Sequence, residues 1–152
     1  SGSEVDYDGD HHRLRGAIQS PTPTRDIPIV IGGAGTRTME LVAEHATWWN
    51  CPAYAFERFG ELRASAGPAR PSLQLMVSLV LEEHERAEVE ARTARRFGPE
   101  RPDIVLGSAA EVAERLDGLA GQGVERFYVW FTDFAQRQTL EAFGANVMPH
   151  IS

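Results

Sequence analysis

Continuous apolar runs alternate with amphipathic stretches along most of the chain. Ile27 to Ile31 is an apolar run ending in Gly32-Gly33, the pattern of a strand buried on both faces in a parallel sheet. From about Thr36, residues Met39, Val42, Ala43 and Ala46 recur at helical spacing and form one apolar stripe. The short aromatic segment Ala46 to Cys51 predicts a second strand. Pro52 then suits the first turn of a helix, where its missing N–H costs nothing. That helix carries Tyr54, Phe56, Phe59 and Leu62 and stops near Gly67-Pro68. Leu73 to Leu81, "LQLMVSLVL", predicts a third strand. So apolar a run would also suit a buried helix, but its flanks, Pro71 and Glu82-Glu83, fit a strand passing into a new helix. "EEHERAEVEARTARRF" is that helix, acidic at its start and basic at its end, which complements the helix dipole. Gly98-Pro99 closes it. Ser108 followed by Glu111 is a capping box, with Val112, Leu116 and Leu119 as the buried stripe behind it. Gly121 and Gly123 are candidates for a left-handed C-terminal cap. Phe127 to Phe131 predicts a fourth strand, apolar on both faces, and Leu140, Phe143 and Val147 mark a last helix ending at Pro149.

The resulting order is strand, helix, strand, helix, strand, helix, helix, strand, helix. Alternation of this kind implies an α/β fold with a parallel sheet and right-handed crossovers. Residues 1–26 lack any sustained period. They read as an irregular N-terminal arm with one short extended piece around His12 to Leu14, and Ser1-Gly2-Ser3 reads as a tag remnant. Four parallel strands fit two architectures. One is a small open doubly wound sheet. The other is half of an eight-stranded (β/α) barrel, which as a whole needs about 250 residues.

The length, 152 residues, suits one domain. The formal charge of −7 argues against a general nucleic-acid binder. No apolar run approaches the roughly 20 residues that span a bilayer, and no signal-peptide pattern opens the chain. The expectation is therefore no nucleic-acid or membrane partner. Cys51 is the only cysteine, which excludes an internal disulfide and a thiolate zinc site and makes a reducing cytoplasm the default location. All 15 basic residues are arginine, so no Schiff-base or P-loop lysine is available.

Four stretches together carry a family likeness: "YDGDHHRLRGAIQSPTPTRDIPIVIGGAG", "LVAEHATWWN", "IVLGSAAEVAERLDGLAGQGVERFYVWF" and "LEAFGANVMPHI". In that order and at those spacings, residues from about Asp8 to Ile151 resemble the C-terminal half of the bacterial luciferase-like monooxygenase superfamily, flavin- and F420-dependent oxidoreductases. The resemblance implies a (β/α)8 TIM-barrel type fold, with this chain covering about four βα units, strands 5 to 8, over residues 27–152. It also implies F420 or FMN as cofactor, a small organic substrate, and a partner that completes the barrel: the N-terminal half or a second copy of the chain. Thr47 departs from the family, which often has aspartate there. The half that usually supplies the acid/base residues has no counterpart here, so the catalytic residues are unknown.

A glycine turn between a strand and a helix lets backbone approach an anion closely, and the helix N-terminus offers free N–H groups. A plain tight turn without a ligand fits the same spacing. With the resemblance, Ile31, Gly32, Gly33 and Ala34 are the candidate cofactor-binding residues at the first strand's end, and Arg37 is a candidate added charge. Barrel ligands sit at C-terminal strand ends, which places Asn50, Cys51, Pro52 and Ala53 beside them. For Asn50 local turn hydrogen bonding is the competing reading, and for Cys51 a small buried hydrophobe. The adjacent His11 and His12 point apart in extended chain and lack a partner cluster, so no metal site is expected. Asp133 reads as the N-cap of the last helix. Two functions remain open. One is the half of a luciferase-like oxidoreductase that grips the cofactor phosphate. The other is a non-catalytic half-barrel, a binding or regulatory partner.

Overall fold

The computed structural model describes residues 2–99 and 101–152. Strands β3 (Val30–Gly32), β4 (Trp48–Pro52), β5 (Arg70–Leu79) and β7 (Arg126–Phe131) run parallel, with neighbours in that order. Helices α1 (Thr36–His45), α2 (Phe59–Ser65), α4 (Ala109–Gly121) and α5 (Arg137–Asn146) connect or follow them. A 3-10 stretch over Ala53–Arg58 leads from β4 into α2. The parallel α/β sheet expected from the alternation is present.

Side-chain alternation divides the sheet into two unlike faces. Odd-numbered residues of β4, β5 and β7 face one way, and Trp49, Cys51, Leu73, Leu75 and Val77 are buried there with Val42, Phe59, Leu62, Val112, Leu116 and Val147 from the helices. Trp49 stacks on Phe59 at 5.6 Å, and Phe131 meets Phe143 edge-on at 5.1 Å. Even-numbered residues form the other face. At its N-terminal end the Trp48 ring lies under the guanidiniums of Arg70 and Arg126, 4.3 and 3.7 Å from its centre, and Arg70 pairs with Glu125 at 2.7 Å. Toward the C-terminal end Gln74 and Trp130 are exposed, and Trp130 keeps 63% of its surface in solvent.

A fifth parallel strand, β6 (Ile104–Gly107), was absent from the expected order. The amides of Arg70, Met76 and Val80 donate to Thr47, Asp103 and Gly107. All three donors are even-numbered, so β4 and β6 share one edge of β5, end to end, while β7 takes the other. The chain thus steps backwards once, from β5 to β6. A right-handed crossover in that direction puts its helix on the opposite face. Helix α3 (Arg86–Phe97) lies there accordingly: Thr93 Oγ1 is 2.6 Å from Ser78 Oγ, to which Thr132 Oγ1 donates at 2.9 Å.

Other details depart from the sequence expectations. The N-terminal arm contains an antiparallel hairpin, β1 (Val5–Asp8) with β2 (Arg13–Ala17), held by Asp8 pairing with Arg13 and Arg15; His11 and His12 sit at its exposed tip. The first parallel strand is shorter than the apolar run, and Ile27, Ile29 and Val30 are exposed rather than buried on both faces. They lie on the sheet's edge, where nothing among the described residues covers them. Strand β5 begins three residues before Leu73 and runs through Pro71, whose missing N–H falls just before the β7 ladder starts at Ser72 and Arg126.

Candidate functional site

A cavity of about 770 Å³ opens at the C-terminal ends of the strands. Gly32 and Gly33 from the β3 turn and Asn50, Pro52, Ala53 and Tyr54 from β4 and the turn after it form one wall. Gln74, Leu75 and Met76 of β5 form the floor, and Trp130 of β7 stands on the far side. The backward step to β6 supplies the rest: Arg101, Pro102 and Asp103, at the approach to that strand. These last residues and Trp130 were not legible as site residues, because no motif marks them and only the β5–β6 pairing brings them there.

The glycine turn is tied firmly to β4. Gly33 N–H donates to Asn50 O at 3.3 Å, and Trp49 Nε1 donates to Gly33 O at 2.8 Å. Gly33 has φ +141°, and a Cβ there would meet Thr38 Cγ2 at 2.8 Å, so both conformation and space require glycine. Gly32 is different. A Cβ there would sit 3.6 to 3.9 Å from Asn50 atoms, in ordinary contact, and it would fill part of the cradle beside the Asn50 side chain. Helix α1 then starts at Thr36 with Gly35 as N-cap and no side-chain cap, which leaves its first amides without an intrahelical acceptor. Arg37 is exposed and lies 3.8 Å from Glu40.

Of the expected contact residues, Gly32, Gly33, Asn50, Pro52 and Ala53 come together on the cavity. Ile31, Ala34 and Cys51 turn their side chains into the helix-side core, so only their backbone faces any ligand. Burial pushes the Cys51 thiol up to about 11. Ser72 Oγ donates to Trp49 O at 3.0 Å and approaches Asn50 Oδ1 at 3.5 Å, which fixes the floor beneath the amide. Arg101 holds Asp103 with two bonds, at 2.8 and 2.6 Å, and donates to Phe97 O at 3.0 Å. That pairing lowers the Asp103 pKa and keeps the carboxylate charged at the cavity mouth. Asp133 does not cap α5 directly. It accepts from Ala135 N and Thr139 Oγ1, inside a turn where Phe134 and Ala135 both have positive φ.

A sequence model of the luciferase-like monooxygenase family matches residues 1–130. Among solved structures, an F420-dependent secondary alcohol dehydrogenase in complex with an F420-acetone adduct superposes over 100% of this chain, with TM-score 0.68 and 14% identity. A coenzyme F420-dependent tetrahydromethanopterin reductase from Methanopyrus kandleri matches 99% of it at TM-score 0.68 and 16% identity. A riboflavin lyase with modified FMN and riboflavin matches 96% at TM-score 0.64 and 15% identity. The chain spans only 57%, 59% and 47% of these structures' own lengths.

Proposed function

The chain belongs to the luciferase-like monooxygenase family, and on that premise we propose that it is the phosphate-gripping half of a flavin- or F420-dependent oxidoreductase, corresponding to strands 5 to 8 of a (β/α)8 barrel. The observation that carries this reading is the cavity at the C-terminal strand ends, with Gly32 and Asn50 forming a cradle that a Cβ would partly fill. A cofactor phosphate would be held at the mouth of that cradle, its charge met by the uncapped amides of α1, since Gly33 N–H is already committed to Asn50, with Arg37 one helical position inside. The Asn50 side chain offers a further donor on the cavity side. A bound flavin or deazaflavin supplies the redox chemistry by exchanging a hydride with a small organic substrate or, for a flavin, by activating oxygen. The residues of this chain hold and orient it and shield one side from water. Among the described residues that line the cavity, the titratable groups are Tyr54, Arg101 and Asp103, and Asp103 is occupied by Arg101. Acid/base groups therefore come from the complementary half: the rest of a longer chain, a separate chain or a second copy.

That same shortage favours a second reading, a half-barrel that binds or regulates without catalysis. Calorimetric titration with FMN and with F420 separates the two. Micromolar binding of either, lost in Gly32→Leu, supports the first. A folded protein that binds neither at high micromolar concentration overturns it and leaves the second.

A further inference from the structure

The three tryptophans are used very differently. Trp48 is sandwiched by Arg70 and Arg126, and Trp49 is stacked on Phe59 and bonded to Gly33 O. The Trp130 indole has no ring partner and no side-chain hydrogen bond among the described residues, its backbone being held in the β5–β7 ladder, and 63% of its surface is exposed. Its neighbours Val129 and Phe131 pack into the core, so the strand is rigidly seated and the indole is presented rather than loose. It is presented into the same cavity that the glycine turn lines. Met76 lies beside it in register on β5, and Gln74, two residues earlier on the same face, also lines the cavity. An indole, a thioether and one primary amide together make a wall with an apolar plane and a polar end. A planar heteroaromatic ring with apolar faces and a hydrogen-bonding edge fits it.

We propose that Trp130 is the stacking wall for the cofactor's ring, with Met76 beneath it and Gln74 meeting the ring's polar edge, across the cavity from the phosphate cradle. This rests on the cavity being the cofactor site and adds where the ring lies and which residue sets its plane. Trp130 positions the ring; it carries no proton.

The test uses the whole chain and two ligand pairs, each differing in the phosphate arm: FMN with riboflavin, and F420 with its phosphate-free deazaflavin core. Trp130→Ala, Trp130→Phe and Gly32→Leu are titrated with each, and far-UV circular dichroism confirms folding. Trp130→Ala weakens both members of the bound pair by the same factor, about five- to tenfold, and Trp130→Phe restores most of it. In the wild type, ligand quenches the exposed tryptophan's emission, and that quenching is largely gone in Trp130→Phe. If Gly32→Leu abolishes binding of the phosphorylated ligand while Trp130→Ala changes neither affinity, the ring wall is overturned and the phosphate reading stands. If Trp130→Ala weakens both ligands while Gly32→Leu weakens neither, the ring wall stands and the phosphate reading falls. Binding of none of the four overturns both. Unchanged affinities together with a smaller assembly in light scattering for Trp130→Ala would assign the indole to a protein interface and overturn the proposal.

Discussion

Gly32 and Gly33 are adjacent and look equivalent in sequence, yet they answer to different demands. At Gly33 a side chain is forbidden by backbone and neighbour alike, so Gly33→Ala should destabilise the fold by about 1–3 kcal/mol, read as a lower denaturant midpoint. At Gly32 a small side chain is sterically ordinary. Gly32→Ala should melt within a few degrees of the wild type, and the bulkier Gly32→Leu should damage ligand binding and not folding. Equal melting losses at both positions would show that Gly32 is also structural. Cys51 offers a sharper check. It is fully buried and its thiol is shifted to about 11, so at pH 8 it should react with a thiol reagent only as fast as the protein opens. The strand-turn-helix spacing together with the family resemblance marked both glycines and Asn50 as candidates, and all three line the cavity. Neither could divide Ile31, Ala34 and Cys51 from them, because that division depends on which way each side chain points once the strands are paired.

At the scale of elements, α4 shows how much a local signal can settle. The capping box expected from Ser108 and Glu111 is present in both directions, and Arg86 from the start of α3 adds a third partner at 2.7 Å. Ser108→Ala should cost about 1 kcal/mol. The Glu111 carboxyl is pulled down to about 2, first by Arg86 and then by the Ser108 amide and hydroxyl. A carboxylate with a lowered folded pKa stabilises fully above its ordinary value of 4.5, and that contribution fades as pH falls from there through about 2. Glu111→Gln should therefore be less stable than wild type at pH 7, and the gap should close in acid. A gap that stays constant down to pH 2 would mean the charge contributes nothing. Arg86 itself was invisible as a partner, since it lies 25 residues away in sequence. So was β6: four residues placed just before a strong helix signal carry no period of their own. Of the hairpin only an extended piece around His12 to Leu14, overlapping β2, was expected; β1 and the pairing were missed for a related reason, because β1 and β2 are exposed throughout except at Ala17, and exposed strands lack the apolar contrast on which pattern reading depends. Helices and buried strands announce themselves; short strands made by pairing alone do not.

For the whole molecule, the telling mismatch lies between sequence and exposure. Strands apolar on both faces belong to sheets covered on both sides, yet here Val30 and Trp130 are exposed on the even-numbered face, and Ile27 and Ile29 lie bare just before β3. That face is covered at its α3 end, through Ser78, Thr93 and Thr132, and over Trp48, by Arg70 and Arg126. The outer edges of β3 and β7 have no strand partner among the described residues, and unpaired edges recruit other chains. Both are free edges of one parallel sheet, so if the sheet is half of a barrel a second set of strands would satisfy the two at once, whereas a flat edge-to-edge dimer would satisfy one. The 152-residue chain in solution should therefore associate, sedimenting well above its 16.8 kDa mass. Val30→Lys, which puts a charge on the exposed edge strand, should shift it toward monomer with little change in helix content. Mixing with a luciferase-like N-terminal half should compete with self-association if closure is what drives it. A wild-type chain that stays monomeric at high concentration, with the even-numbered face still open to solvent by hydrogen exchange, would mean that this face needs no cover and that the barrel reading fails at its root.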